Sequence, residues 1–201
     1  ATMPDEIRSL AKSILKKPET IQIGMSAPVA TVAHALFPVT GELKKQLLYA
    51  LLEQTATGRV LIFTRTKYKA KNIAGQLKKK KYRAAALQGD MSQNRRQDSI
   101  NGFRRGKYDV LVATDIAARG IDVSEITHVI NFDMPDTVDA YTHRIGRTGR
   151  ALKSGEAYTL AVKEDEKMLK DIEKVLKEPI QRKRLDGFDY GTFTPEKQFL
   201  R

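Results

Sequence analysis

Arg59-Val60-Leu61-Ile62-Phe63, then a helically spaced run over residues 67–79, then Arg83-Ala84-Ala85-Ala86-Leu87, form the stretch from which the fold is read. Each flanking run is short and apolar almost throughout, the pattern of a strand buried on both faces. Strand, helix and strand in that order make a parallel pair with a crossover, the repeating unit of an open α/β sheet. The same alternation continues in both directions. A strand is predicted over residues 34–38 and a helix over 42–54; beyond the central unit come a helix over 93–103, strands over 109–113 and 128–132, a helix over 138–144, a strand over 157–162 and a helix over 164–176. The fold class is therefore α/β, an open, mostly parallel sheet with helices on both faces. In such sheets ligands bind beyond the carboxyl ends of the strands, so functional residues are expected just after them.

Outside this core, a short amphipathic helix is predicted over residues 11–17, ending before Pro18, because the residue ahead of a proline is pushed out of the α region. Residues 24–30 carry Gly, Ser and Pro without periodicity and read as a linker. The tail from Lys177 to Arg201 loses periodicity and carries Arg182-Lys183-Arg184; it reads as an unfolded remnant after the last helix, with these three residues solvated, the alternative being an RNA-binding extension. The chain starts at Ala1 rather than Met, directly before a helix-start signal at Pro4-Asp5-Glu6, and is expected to be a piece of something longer.

Composition narrows the partners. With 36 Lys plus Arg against 24 Asp plus Glu, the 201 residues carry a net charge of +12, which favours a polyanion, nucleic acid or an acidic membrane surface. No apolar run approaches the roughly 18 residues of a membrane span, and a cytoplasmic location is expected. Zero cysteines exclude thiol nucleophiles, disulfides and thiolate metal sites, and three histidines argue against a histidine-built metal cage. The lysines Lys78 to Lys81 are read as a solvated helix end, where cations complement the dipole.

Three segments carry chemistry. In Tyr141-Thr142-His143-Arg144-Ile145-Gly146-Arg147-Thr148-Gly149-Arg150, arginines recur every three residues with two glycines between them. Guanidiniums gathered around a tight turn suit phosphate, since each planar fork donates two parallel charge-assisted hydrogen bonds; pairing with carboxylates across an interface is the alternative. The segment Ala113-Thr114-Asp115-Ile116-Ala117-Ala118-Arg119-Gly120-Ile121-Asp122 follows a predicted strand. Thr114 is placed to offer a hydroxyl and amide to a phosphate, or simply to cap a helical turn. Asp122 could accept from a sugar diol, or cap a loop. In Gln88-Gly89-Asp90-Met91-Ser92-Gln93-Asn94-Arg95-Arg96, Ser92 is a helix cap and Arg96 a cation in the first turn, where the dipole disfavours it unless an anion is near.

Taken together with Leu61-Ile62-Phe63-Thr64-Arg65-Thr66, these segments, in this order, resemble motifs IV, IVa, V and VI of the second RecA-like domain of DEAD-box RNA helicases. The resemblance covers nearly the whole chain, and its wording is most similar to the bacterial RhlE-type branch. It implies a RecA-like sheet of the P-loop NTPase type and divides the chain into a remnant of the first RecA-like domain (1–24), an interdomain linker (25–32), the second domain (33–176) and a basic tail (177–201). It implies that Arg147 and Arg150 act as arginine fingers on ATP, and that Gly120 and Asp122 hold the ribose. Arg65, Gly89, Arg96 and Thr114 are implied to grip RNA phosphates, single-stranded or in short duplex. His143, Arg144, Asp115 and Arg119 are implied to face the first domain. Neither a G-x-x-x-x-G-K-[ST] loop nor an Asp-Glu-Ala-Asp run occurs in the 201 residues, so ATP and Mg2+ are expected to be bound mainly by the first domain, and this chain alone is expected to be inactive as an ATPase. The competing readings are the second domain of a DNA-acting translocase of the same superfamily, and a non-enzymatic basic module that docks RNA or protein.

Overall fold

A computed structural model describes residues 5–16, 18–19, 32–54, 58–119, 121, 123, 125–149 and 155–193, with the side chains of 5–7 excepted. Helix α1 (Asp5–Ile14) is followed by β1 (Val32–Pro38), α2 (Lys44–Gln54), β2 (Arg59–Phe63), α3 (Lys67–Lys79), β3 (Ala84–Leu87) and α4 (Gln93–Arg104). Then come β4 (Val110–Ala113), the single-turn α5 (Asp115–Ala118), β5 (Ile126–Asn131), α6 (Val138–Ile145), β6 (Gly155–Ala161), a 3-10 turn (Lys163–Asp165), α7 (Glu166–Leu176) and β7 (Gln181–Arg182). Among the described residues seven strands pair in the order β3-β4-β2-β5-β6-β1-β7. Every pairing is parallel, as the alternation of elements predicts.

The strands are short and apolar because both sheet faces are covered. Along β2, Val60 and Ile62 face one side, packing with Leu47, Leu51, Ile73 and Leu77 of α2 and α3. Leu61 and Phe63 face the other, against Phe103 of α4 and Ala117 of α5. Beneath β1 and β6, the second layer is completed by Tyr141 and Ile145 of α6 and by Leu169 and Ile172 of α7. A sheet with all strands parallel gathers all their carboxyl ends along one edge. The ladder even runs one residue past that edge, with Thr64 N–H donating to Ala113 O at 2.9 Å and Phe132 N–H to Phe63 O at 3.0 Å.

Two expectations at the ends of the chain are corrected. The first helix runs over Asp5–Ile14 rather than 11–17, beginning at the helix-start signal of the sequence. The predicted linker lies outside the described residues, except that its last residue, Val32, opens β1. The segment read as a solvated tail is built into the sheet: β7 pairs with β1 through Ala35–Gln181 and Leu36–Arg182. Arg182 is ion-paired with Glu173 of α7 instead of standing in water. Ile180 and Tyr190 are each 3% exposed and Leu185 is 8% exposed. Each such burial is worth roughly 1.5–3 kcal/mol before the cost of ordering the segment. Truncation after Glu178 is therefore expected to lower the unfolding free energy by about 2–5 kcal/mol, read as a reduced denaturant midpoint; an unchanged midpoint would show that the segment contributes nothing.

Candidate functional site

Among the described residues, those singled out in the sequence lie along the carboxyl edge of β3, β4, β2 and β5, on α6 and on the turn after it. Helix α6 starts cleanly because the Thr137 hydroxyl accepts from Ala140 N–H at 3.1 Å, and Gly146 ends it. The arginine-bearing turn follows, with Arg147 N–H donating to Arg144 O at 3.1 Å and Thr148 N–H to Ile145 O at 3.0 Å. It is fastened to the strand edge by Thr148, whose buried hydroxyl donates to Ile126 O at 2.6 Å. Gly149 adopts φ +68°, which suits glycine. Gly155 must also lack a side chain, since a Cβ there would sit 2.3 Å from Thr148 Oγ1 and 2.4 Å from Gly149 N.

The arginines on this segment have separate fates. Arg144, 2% exposed, forks onto Asp115 (Nε to Oδ1 2.6 Å, Nη2 to Oδ2 2.7 Å). Its Nη1 donates to Asn131 Oδ1 at 3.2 Å and to Asp133 O at 2.8 Å, and the guanidinium lies 5.1 Å from the Phe63 ring centre. The expectation that Arg144 and Asp115 face a neighbouring domain is thereby corrected for Arg144, whose charge is consumed inside this one; both Asp115 oxygens accept from it. Arg147 turns instead to the loop after α5, donating to Ile121 O at 2.9 Å. Gly120, Asp122 and Arg150 lie outside the described residues. His143 is exposed on α6.

Across the edge, Thr114 occupies the N-cap position of α5 but makes no side-chain cap bond, so its hydroxyl does not cap the helix. Arg96 reaches from α4 to Ala117 O at 2.8 Å, which brings its guanidinium to the same short helix. Ser92 caps α4, accepting from Arg95 N–H at 3.4 Å. A Cβ on Gly89 would meet nothing within 4 Å, leaving its backbone open to close approach. Arg119 is exposed at the end of α5. Arg65 contacts Asp136 at 3.2 Å and Met134 O at 3.3 Å. Thr114, Arg96, Gly89 and Arg65 thus sit after or beside consecutive strands, whereas Arg147 stands at the α5–β5 loop.

Residues not singled out in the sequence also build the edge. Asn131 passes Arg144 on to Thr159 through Nδ2, 3.1 Å from Oγ1. Asp133 accepts from Arg65 N–H at 2.9 Å and Lys69 Nζ at 2.8 Å. Burial alone would push its carboxyl up, but these hydrogen bonds and the charges of Lys69 and Lys44 outweigh burial and hold it below the usual carboxylate range. Burial lowers the pKa of the Lys44 ammonium against the opposing pull of Asp165 and Asp133. The available signal was polar residues, Asn131 and Asp133, closing an otherwise apolar strand. Among the described residues no group of three or more His, Cys, Asp or Glu is gathered to hold a metal ion.

The family model for the helicase conserved C-terminal domain matches residues 43–152. DEAD-box ATP-dependent RNA helicase RhpA of Helicobacter pylori is 41% identical over 182 residues, covering 90% of this chain and 37% of that protein. Among solved structures, the E. coli DEAD-box protein SrmB bound to regulator of ribonuclease activity A superposes with a TM-score of 0.76 at 36% identity, over 82% of this chain and 97% of that one. S. cerevisiae Dbp5 bound to RNA and ADP BeF3 gives 0.78 at 29% identity, over 92% and 49%. The chain spans between 22% and 41% of the length of the curated relatives it matches. Its sheet is the RecA-like sheet of those domains, and the chain belongs to the helicase conserved C-terminal domain family, in the form that DEAD-box proteins carry.

Proposed function

We propose that this chain is the second RecA-like half of an ATP-dependent RNA helicase, of the RhlE-type branch and cytoplasmic, working with a first RecA-like domain in the same protein. The observation that carries the reading is the hydrogen bond from the Arg147 side chain to Ile121 O, which ties the arginine-rich turn to Ile121. The Arg147 guanidinium thus lies at the residue that precedes Asp122 in sequence, and a phosphate-seeking cation and a diol-seeking carboxylate suit one ligand. In this reading Arg147 and Arg150 stabilise the charge of the transferring phosphoryl group, and Gly120 and Asp122 orient the ribose. Bound ATP with Mg2+ supplies the transferable phosphoryl group, its metal ligands lying in the first domain. His143, Asp115 and Arg119 lie at the surface that the first domain closes upon, and Arg144 positions the segment from within.

Arg96, Thr114, the Gly89 backbone and Arg65 hold RNA phosphates along the strand edge. Contacts of this kind position a strand without reading its bases, so affinity is expected to depend on salt and little on sequence. ATP and RNA that each touch both domains favour the closed form by their differential affinity for it, and closure strains a short duplex.

The purified 201-residue chain is expected to bind RNA with affinity that falls steeply with salt and to release no phosphate from ATP, RNA present or not. RNA-stimulated phosphate release above an Arg147→Ala control would overturn the assignment of the missing catalytic groups to another domain. The two arginines of the turn should also separate by readout. Arg144→Ala leaves the buried Asn131 and the half-exposed Asp115 without their cation and is expected to cost about 1–3 kcal/mol of stability in denaturant unfolding. A smaller loss, under about 1 kcal/mol, is expected for Arg147→Ala; equal losses would contradict the division of roles.

A further inference from the structure

A cavity of about 530 Å³ opens at the carboxyl ends of β1, β2, β5 and β6; of its lining residues, Arg65 alone belongs to the family motifs. Its walls include Lys44 and Lys45 of α2, Arg65 before α3, Tyr68 and Lys69 of α3, and Asp133. The first turns of α2 and α3 contain no acid and do contain these lysines. Cations at the positive end of a helix oppose its dipole, so both helices present excess positive potential to the same opening.

The charges divide between floor and rim. On the floor, Lys44 is 7% exposed, donates to Phe132 O at 3.0 Å and lies 3.9 Å from Asp165, while Asp133 takes Lys69 at 2.8 Å. At the rim, Lys45 is exposed, and Arg65, 52% exposed, pairs with Asp136, itself 75% exposed, and donates to Met134 O at 3.3 Å. An ion pair so open to water contributes little and yields readily to a phosphate that can take the guanidinium bidentately. Tyr68 stands at this mouth with 75% of its surface in water. A lone exposed tyrosine needs no explanation. One ringed by cations over a cavity has the composition of a single-strand platform, where a base stacks on the ring and phosphates meet the charges.

We propose that this cavity seats a nucleotide of single-stranded RNA, the base stacked on Tyr68 and the flanking phosphates held by Lys45 and Arg65. The site rests on the reading of the chain as an RNA-binding domain and extends it. Strand order supplies the path: Gly89 follows β3, Thr114 follows β4, Arg65 follows β2, and the cavity lies over the next strands along the same edge. A strand gripped by its backbone over β3, β4 and β2 arrives at Tyr68 next. Base stacking there adds a contact that backbone gripping lacks.

The test is a titration of the 201-residue chain with labelled oligouridine over a range of salt, joined to photocrosslinking with 5-iodouridine. Tyr68→Ala is expected to weaken binding about five-fold or more with an unchanged salt slope, and Tyr68→Phe to bind within about two-fold of the parent, since the ring does the stacking. Lys45→Ala should flatten the slope of log affinity against log salt by about 0.7, the loss of one single-strand phosphate contact. The crosslinked peptide should contain Tyr68. If the parent binds RNA with salt dependence while Tyr68→Ala binds as tightly, or if crosslinks map only outside the cavity, the stacking site is wrong and the RNA-binding reading stands. Absence of salt-dependent RNA binding by the parent overturns both.

Discussion

The carboxyl edge of this sheet is organised by one buried cation. Arg144 joins α6 to Asp115 on α5, to Asn131 and the Asp133 carbonyl at the end of β5, and to the face of Phe63 at the end of β2. Taking a guanidinium out of water costs several kcal/mol, recovered only when its donors are met; here the Asp115 fork and two further acceptors meet it. Geometry is what this arrangement secures. Four elements that follow one another in space, not in sequence, are fixed relative to one atom group. Arg147, one turn on, inherits a defined position against the Ile121 loop because the helix beneath it cannot rotate.

The remainder of the edge depends on that lock. Thr148 pins the turn to the start of β5, and Gly155 leaves the space the turn occupies. Arg96 and Thr114 meet at α5, a helix of one turn that could not hold its shape alone and is held by Arg144 on one side and Arg96 on the other. Residues able to seek phosphate are thus presented by short loops on a rigid sheet, the division of labour expected when a ligand must be held without rearranging the scaffold.

Much of the scaffold was legible because burial on two faces leaves a strong pattern. The bounds of β2 and α3 follow from apolar run and helical period alone, and α4 and α6 differ from expectation by a residue. The element that escaped, β7, has two residues, too few for any period, and its partner β1 lies far back in the chain. The same reason governs the site. Arginine spacing identified a phosphate-type segment, but which arginine turns inward is decided by Asp115 and Asn131, 29 and 13 residues away, and only the sheet order brings them there. The Thr114 hydroxyl was ambiguous between cap and ligand; the absence of a cap bond is a matter of coordinates. Lys44, Lys69 and Asp133 meet across three elements, and beyond a polar residue closing an apolar run nothing local in the sequence joins them.

The central claim is that the Arg147 turn completes a nucleotide site shared with another domain. It is tested most directly by mixing this chain, as parent or as Arg147→Ala, with a separately purified first RecA-like domain bearing the phosphate-cradling loop and the Asp-Glu-Ala-Asp run. Phosphate release in the presence of RNA is then measured. Release is expected to appear with the parent and to fall roughly 10³-fold or more with Arg147→Ala, the loss typical of an arginine finger. Equal release from the two, with the mixed domains shown to associate, would contradict the account.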